Sequence, residues 1–397
     1  VASALAGEYE VANSLRFDSG SSDYLQRTPS STGNRKTFTI SLWIKRSKLG
    51  SRQSIFNNTD GSGQDGIYFD FYSDDTLAIL DYGTGAYLTP RFETTQVFRD
   101  VSAWYHIVYA VDTTQSTESN RVKIYVNGTQ ITDFDISNYP SQNADTLWNR
   151  TDTLEIGSYN GTGNYFGGYM AEVVNIDGQQ LDPTSFGEFD EDTNIWKPID
   201  VSGLTFGTNG FYLDFENSGS LGADVSGNGN NFTVNNLTSI DQTTDTCTNN
   251  FATFNPLITN TSYQPNWANG NLDVDSANNA LLWLGVSTIG VSSGKWYAEI
   301  KHKSNPYPII GIDSDPSESA RTNTRLGGLS TSWGYNGSGS GEVQNNNSGI
   351  SYTCDSFTVN DIIGVYLDLD NNKLYFAKNG TIQNSGTGIS ITAPAST

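Results

Sequence analysis

Cysteine is almost absent: the 397 residues hold two, Cys247 and Cys354, far apart in the sequence. Without a CxxC pair or a cluster with histidine, they exclude a disulfide framework and a cysteine-rich structural zinc site. Two free thiols and one long-range disulfide both stay open. Histidine is equally rare, with His106 and His302, so an HExxH zinc site is excluded and a Ser-His-Asp triad has few candidates.

Long apolar runs and an excess of basic residues are also missing. The longest apolar run, ALLWLGV at residues 280–286, is far shorter than the ~20 residues that span a bilayer. With 21 Lys and Arg against 43 Asp and Glu, the net charge of -22 repels phosphate backbones and anionic membranes. We therefore expect no nucleic-acid partner and no membrane insertion. Residues 1–14 lack signal-peptide features, so we expect a processed or missing start.

Turn and strand residues are abundant: 40 Gly, 21 Tyr and 19 Phe stand against a single Met, which favours an all-β chain. One phrase occurs twice, as RVKIYVNGTQI at residues 121–131 and as NNKLYFAKNGTIQ at residues 371–383. Each copy alternates apolar and polar residues and then reaches Asn-Gly, which accepts positive φ at both centres of a type I′ hairpin turn. The repeat predicts two antiparallel sheet domains with a shared local plan.

The order of the strand-like segments identifies a family for each half. NSLRFDSGSSDYL, FTISLWIK, WYHIVYAVD, KIYVNGTQI, LEIGS and FGGYMAEVVNIDGQQLD follow one another in the first half. This series resembles a LamG-type jelly roll. GKWYAEIKH, PIIGID, SWGYNG and DIIGVYLDLDNNKLYFAKNG in the second half resemble a SPRY domain. The resemblances imply an all-β chain of two tandem concanavalin A-like jelly-roll β-sandwiches.

We expect a LamG-like jelly roll over residues 1–200, a connector with two strands over residues 201–250 and a SPRY-like sandwich over residues 251–397. The polar stretch at residues 239–250 favours a boundary there. The connector segment FYLDFENSGSLGADVSGNGNNFTV resembles the opening of a LamG-like domain, yet it follows the body of that domain. It either completes the first sandwich in permuted order or forms a hairpin on the second domain.

Several predicted loops combine aromatic rings with Gly, Asn and Thr, as sugar binding requires. Pyranose rings stack on aromatic faces, while their hydroxyls bond to amide and hydroxyl groups. The alternative is that these are plain loops. In the SPRY pattern Trp333 and Tyr335 lie on a strand whose side chains can face the core. The candidate carbohydrate-binding residues are Tyr159, Asn160, Asn164, Tyr165, Tyr82, Tyr87, Trp333 and Tyr335.

Calcium is the one cofactor that the sequence suggests. Asp224, Ser226 and Asn228 have the alternating oxygen ligands of a calcium loop, but Asn235 stands where a closing Glu is needed. A plain Asx turn is the alternative.

An acidic phrase at residues 188–193 raises the question of catalysis. Concanavalin-like glycosidases use two carboxylates in an E-x-D-x-x-E strand. Glu188 and Asp190 begin that phrase, but Thr193 replaces the second Glu. We expect a solvated acidic turn and a protein that is not an enzyme.

The tandem is similar to structural proteins of marine tailed bacteriophages. This resemblance implies a non-enzymatic virion-surface structural or adhesion protein, a tail fibre, spike or head fibre, that recognises host cell-envelope glycans. Expected partners are other virion proteins and host cell-surface glycans, and family analogy implies a homotrimer. The expected location is the virion surface, after assembly in the host cytoplasm. Two alternatives stay open: a secreted glycoside hydrolase or lyase of the same fold, and a bacterial surface adhesin module.

Overall fold

The computed structural model describes residues 9–62, 65–258, 265–276, 285–304, 308–317, 324–339 and 341–392. The chain divides into two compact units, one of Val1–Ala252 with Ala268–Gly270 and one of Thr253–Trp267 with Asn271–Thr397. The regular structure of the described ranges is nearly all β. Short 3-10 helices lie at Glu118–Asn120, Pro183–Ser185, Ser239–Asp241 and Asn384–Gly386. The predicted all-β class is confirmed.

The first unit is built from two large sheets. Its strands are β1 (Ser14–Phe17), β2 (Tyr24–Arg27), β3 (Thr37–Arg46), β4 (Gln53–Thr59), β5 (Gly66–Phe71), β6 (Thr76–Gly83), β7 (Ala86–Val97), β8 (Tyr105–Asp112), β9 (Val122–Val126), β10 (Thr129–Gln130), β11 (Phe134–Asn138), β12 (Thr153–Ile156), β13 (Gly168–Asp177), β14 (Gly187–Phe189), β15 (Trp196–Pro198), β16 (Phe211–Leu213), β17 (Thr233–Asn235) and β18 (Gln242–Thr243). The first sheet has the order β10-β9-β8-β3-β13-β1-β18, with β16 also paired to β13. The second sheet has the order β11-β7-β6-β5-β4-β12-β2-β17, and β14 pairs with β15.

The two large sheets bury their facing sides in one core. Alternation along β5 shows why: Ile67, Phe69 and Phe71 belong to this core, whereas Tyr68 and Asp70 point to the opposite side of the sheet. The core also takes in the connector, since Phe211, Leu213 and Phe215 are buried in it. Strand β16 pairs with β13 and β17 pairs with β2, so residues 201–250 extend both sheets of the first unit.

The outer face of the first sheet is covered by the chain that follows β13. Val108, Val174 and Ile176 pack there against Phe186 and Phe206. A neighbouring cluster on the same face joins two tryptophans of the sheet region, Trp43 and Trp104, to Trp196 of β15. The outer face of the second sheet carries a different and smaller cluster, in which partly buried tyrosines surround Tyr68.

The second unit contains a five-stranded and a four-stranded sheet. Its strands, with those of the boundary region, are β19 (Pro265–Ala268), β20 (Asp273–Ser276), β21 (Lys295–Lys301), β22 (Ile309–Asp313), β23 (Ser332–Asn336), β24 (Glu342–Asn345), β25 (Ser348–Gly349), β26 (Ile362–Asp368), β27 (Lys373–Lys378), β28 (Thr381–Ile382) and β29 (Ile389–Ser390). One sheet has the order β21-β26-β27-β28, with β29 also on β27, and the other has the order β22-β23-β24-β25. Strands β19 and β20 form a separate pair. Aromatic and aliphatic side chains fill the unit's own core.

The repeated phrase folds in the same way in both units. Asn127 and Gly128 have φ of 48° and 76°, and Asn379 and Gly380 have φ of 48° and 79°. In each copy the Asn side-chain oxygen accepts a hydrogen bond from a strand N–H, that of His106 at 2.8 Å in the first unit and that of Ile362 at 2.9 Å in the second. The predicted Asn-Gly hairpin turns are confirmed.

Gly128 cannot be replaced by alanine without a large loss of stability. A Cβ there would lie 2.4 Å from Cε3 of Trp196, in addition to the cost of a positive φ. We expect Gly128→Ala to lower the free energy of unfolding by about 3 kcal/mol. Gly85→Ala is the matched control, because Gly85 has φ of 81° with nothing within 4 Å, and should cost about 1 kcal/mol. Equal losses in denaturant titrations would contradict the Trp196 contact.

Candidate functional site

Two loops that sequence analysis treated separately meet on the outer face of the second sheet. The Tyr159 and Tyr68 rings stack with centroids 5.8 Å apart. Tyr68 meets Tyr82 edge to face at 6.2 Å, and Tyr82 meets Tyr87 at 5.5 Å. Four rings therefore form one continuous row, which we call the tyrosine row. Tyr87 is 54% exposed at its end.

Two arginines border the tyrosine row, and each is neutralised by a carboxylate. The Arg52 guanidinium lies 5.7 Å from the Tyr68 ring centroid, and its Nε donates to Asp70 Oδ2 at 2.7 Å. Arg91 lies 3.8 Å over the Tyr87 ring and donates to Glu93 Oε1 at 2.8 Å. These pairs hold the rings in place without giving the face a net charge.

The phenol groups of Tyr68 and Tyr72 keep their protons at neutral pH. Burial is the main reason that the pKa of Tyr72, which lies under Arg52, rises to about 12. Burial also raises the pKa of Tyr68. A protonated phenol can both donate and accept a hydrogen bond, which suits a ligand rich in hydroxyl groups.

The loop at residues 157–166 is closed by its own backbone. Tyr159 N donates to Gly163 O at 2.9 Å, and Asn160 Oδ1 accepts from Thr59 Oγ1 at 2.5 Å. The backbone oxygen of Asn164 accepts from Ser54 N at 2.7 Å, which fastens the loop to β4. The loop thus presents Tyr159 to the tyrosine row in a defined position.

Tyr165 is not part of the tyrosine row. Its hydroxyl donates to Gly161 O at 2.6 Å, and its ring lies 6.3 Å from that of Tyr24 on β2. Between this pair and the row lies Glu155, whose Oε2 accepts from Gly161 N at 2.9 Å. Burial raises the pKa of Glu155. Tyr165 therefore belongs to a second aromatic group on the same outer face.

Trp333 and Tyr335 lie inside the second unit. Both side chains belong to its core, with Tyr335 completely buried and Trp333 only 6% exposed. The Tyr335 hydroxyl donates to Asp355 O, and its ring meets that of Phe357. Burial removes both rings from the candidate site and corrects the expectation that they could stack on a sugar.

The Asp224 loop is a hydrogen-bonded turn rather than a set of free oxygen ligands. Asp224 Oδ1 accepts from the N–H groups of Tyr212 and Ser226, both at 2.9 Å, and Oδ2 accepts from Asn230 N at 2.7 Å. The Asn228 amide donates to backbone oxygens of neighbouring residues. N–H groups around the carboxylate repel a cation, so Asp224, Ser226 and Asn228 do not fit calcium. Among the described residues no group of three His, Cys, Asp or Glu could hold a metal.

The acidic phrase at residues 188–193 forms a turn after β14. Asp190 Oδ1 accepts from Thr193 N at 2.8 Å, and Oδ2 lies 3.1 Å from Lys197 Nζ. The hydrogen bond from the Thr193 backbone and the contact with Lys197 hold the pKa of Asp190 well below its usual range. The predicted acidic turn is confirmed. Just before it lies the 3-10 helix at Pro183–Ser185.

His106 contacts a serine but cannot activate it. Its Nδ1 accepts from Trp196 Nε1 at 2.9 Å, so Nε2 carries the ring proton and donates to Ser41 Oγ at 2.8 Å. A nitrogen that already carries a proton cannot take the serine proton. Burial lowers the pKa of His106 to about 3, and the ring stacks between Trp43 and Trp196. It is a core histidine.

Sequence analysis missed Tyr68, Tyr72, Arg52 and Arg91. The first two had a signal, because Tyr68 and Asp70 alternate with Ile67, Phe69 and Phe71 in GIYFDFY. The two arginines had none: Arg91 shares β7 with Tyr87, and Arg52 directly precedes β4, which pairs with β5, but neither pattern indicates that a guanidinium lies over a ring. Sequence analysis left open whether the two cysteines form a disulfide. In the structure both are free thiols.

Family models match both units. Residues 19–178 match the Laminin_G_3 model, described as the concanavalin A-like lectin/glucanases superfamily, and residues 271–391 match the SPRY domain. The chain therefore combines a LamG-like concanavalin A-like domain with a SPRY domain, as predicted. No curated protein matches it. None of the described helices is long and apolar enough to cross a membrane.

Several solved structures are similar in fold. A putative carbohydrate binding protein from Bacteroides ovatus is 16% identical, with a TM-score of 0.37, and the match covers 57% of this chain and 59% of that one. Domains LG4-5 of mouse laminin alpha1 are 12% identical over 99% of this chain and 82% of that one, with a TM-score of 0.34. The CBM40 of a Ruminococcus gnavus sialidase, bound to sialyllactose, is 17% identical over 36% and 89%, with a TM-score of 0.26. These scores are too low for the likeness to bear on function.

The Asp224 loop should be independent of calcium. We expect a chelator to leave the melting temperature of the protein unchanged, and Asp224→Ala to lower the free energy of unfolding by about 2 to 3 kcal/mol, because buried N–H groups lose their acceptor. Ser226→Ala is the control, since its hydroxyl accepts one bond from Asn228 N at 3.3 Å, and should cost no more than about 0.5 kcal/mol. A melting temperature that falls with chelator would contradict this interpretation.

Proposed function

We propose that this chain is a non-enzymatic glycan-binding protein whose binding surface is the tyrosine row. The observation that carries the proposal is the continuous series of rings from Tyr159 through Tyr68 and Tyr82 to the exposed Tyr87. Sugars offer apolar C–H faces of the size of one ring, and the rings of Tyr159, Tyr82 and Tyr87 can therefore contact successive units of a polysaccharide, while the buried Tyr68 packs between them.

The charges on this face favour an uncharged glycan. Asp70 neutralises Arg52 and Glu93 neutralises Arg91. Neither arginine therefore leaves an uncompensated positive charge beside the row. The net charge of -22 disfavours a strongly anionic polysaccharide as well. Phenol hydroxyls and the polar loop around Asn160 supply the directional hydrogen bonds that hydroxyl groups need.

We also propose that the protein is displayed on the surface of a tailed-phage particle after assembly in the host cytoplasm. Its partners would be other virion proteins and host cell-envelope glycans, with a homotrimer by family analogy. The resemblance of the LamG-SPRY tandem to such structural proteins supports this proposal, as does the acidic, Lys-poor composition. Detection of the chain in purified particles by mass spectrometry tests it, and absence from the particles would contradict it.

A glycan hydrolase is the second candidate, because the matched superfamily includes glucanases. The residues that would supply its chemistry argue against it. Asp190 is engaged in a turn with Lys197, and Glu188 is an exposed residue of the β14–β15 hairpin.

Loss of an exposed ring should weaken glycan binding. We expect Tyr87→Ala and Tyr159→Ala each to reduce affinity for host-envelope polysaccharide about tenfold, a loss of about 1.4 kcal/mol. Tyr297→Ala is the matched control, because Tyr297 is 51% exposed and Tyr87 is 54% exposed, but Tyr297 lies in the second unit. The measurement is calorimetric or surface-adsorption titration. Unchanged binding by both row variants would contradict the proposed site.

The protein should bind polysaccharide without cleaving it. We expect no release of reducing sugar from host-envelope polysaccharide over a long incubation, because Thr193 stands where the E-x-D-x-x-E phrase needs its second Glu. A reducing-sugar assay checks this, with a known glycanase on the same polysaccharide as a positive control. Release that disappears in Glu188→Gln would establish the hydrolase instead.

A further inference from the structure

Lys45 is a buried amine enclosed by acceptors on the covered face of the first sheet. Its side chain is 0% exposed. Its Nζ lies 2.8 Å from Asp245 Oδ2, 2.8 Å from Asn250 Oδ1 and 2.9 Å from Phe251 O. An amine, an amide and a carboxylate therefore share one site, although Lys45 and Asn250 are 205 positions apart in the sequence.

The surroundings of this triad bury the amine and the carboxylate and fix the orientation of each group. The Tyr169 ring centroid lies 5.4 Å from Lys45 Nζ, and Trp104 Nε1 donates to Asp245 Oδ1 at 3.3 Å. The Asn250 amide nitrogen donates to Ser102 O at 2.7 Å, which holds the amide in place. Burial lowers the pKa of Lys45 and so favours the neutral, nucleophilic amine.

We propose that Lys45 and Asn250 form an intramolecular isopeptide bond, with Asp245 as the group that transfers the proton. The proposal does not depend on glycan binding. It rests on the contact of a buried amine with a partly buried amide beside a buried carboxylate, where desolvation and orientation replace the activation that an enzyme would provide.

The reaction needs no oxidant and no second reactant. The neutral Lys45 amine attacks Cγ of Asn250 through its nitrogen lone pair to form a C–N bond, and Asp245 accepts a proton from the attacking nitrogen. Asp245 then returns a proton to the amide nitrogen, and the bond between Cγ and that nitrogen breaks. Ammonia leaves, the carboxylate is regenerated, and the products are one secondary amide and one ammonia molecule.

The bond would join β3, in the middle of the first sheet, to the end of the first unit. Asn250 lies two residues before Ala252, where that unit's main segment ends. A covalent link of this kind restricts the unfolded chain, as a disulfide does, but cannot be reduced. The segment that covers the first sheet's outer face would thereby stay attached to it.

The test is the intact mass of the purified full chain under denaturing conditions. The proposal predicts a mass about 17 Da below that of the expressed sequence, the loss of one ammonia. It also predicts a branched peptide that contains Lys45 and Asn250 in a proteolytic digest. A mass equal to that of the sequence overturns the proposal, and leaves the triad as a buried ion pair.

Variants assign the bond to its atoms. Lys45→Arg, Asn250→Ala and Asp245→Asn should each restore the full mass, whereas Asn249→Ala, at the neighbouring asparagine, should keep the deficit. A deficit of about 18 Da, the loss of water, would place a bond on Asp245 and overturn the assignment to Asn250. Because the natural chain is measured first, a variant that fails to fold does not affect the decision. These variants do not change the proposed glycan site. The glycan-binding proposal is therefore tested independently of the isopeptide bond.

Discussion

Burial of the first sheet's outer face under residues 181–252 is the constraint on which the first unit depends. The sheet has apolar side chains on both sides, and the far side carries Trp43, His106 and Tyr169, which would be costly to leave in water. Trp196 covers this side and stacks on His106 at 5.9 Å. On the second sheet's outer face the centre is buried as well, at Tyr68, Asp70 and Ala78, and exposure rises toward Tyr87 at the end of the tyrosine row.

The tyrosine row has the properties of a binding surface that is already formed. Each ring of the tyrosine row packs on a neighbour, and the two arginines are fixed by carboxylates on the same face. Little side-chain entropy is then lost when a ligand binds, which favours affinity.

Local sequence patterns predicted the strands and turns. Pairing between strands that are distant in the sequence determined which residues meet at the candidate site. The Asn-Gly turns follow from two residues, and the inward side of β5 follows from its alternation. Tyr68 contacts both Tyr159 and Tyr82, because β12 pairs with β4 and β4 pairs with β5. No local sequence pattern indicates this strand order. Alternation also does not decide which face of β23 packs in the core. The sequence therefore did not assign Trp333 to the core.

The sequence did not predict the environments of single polar residues inside the sheets. Asp81 alternates with Ile79 toward the core, and burial raises its pKa to about 8, while Leu147 N donates to its Oδ2 at 2.8 Å. Lys45 follows Ile44 in a strand that reads as ordinary, yet its three acceptors come from a segment 200 residues later. Such sites require the tertiary structure, because each is defined by groups from separate strands.

Oxidative footprinting with and without host-envelope polysaccharide tests most directly the division between a covered and an open face. Tyr87 and Tyr82 should react in the free protein and be protected by the polysaccharide, while Trp43 and Trp196 should stay unreactive in both states. Ready oxidation of Trp196, or protection confined to the second unit, would contradict the structure of the face and the function assigned to it.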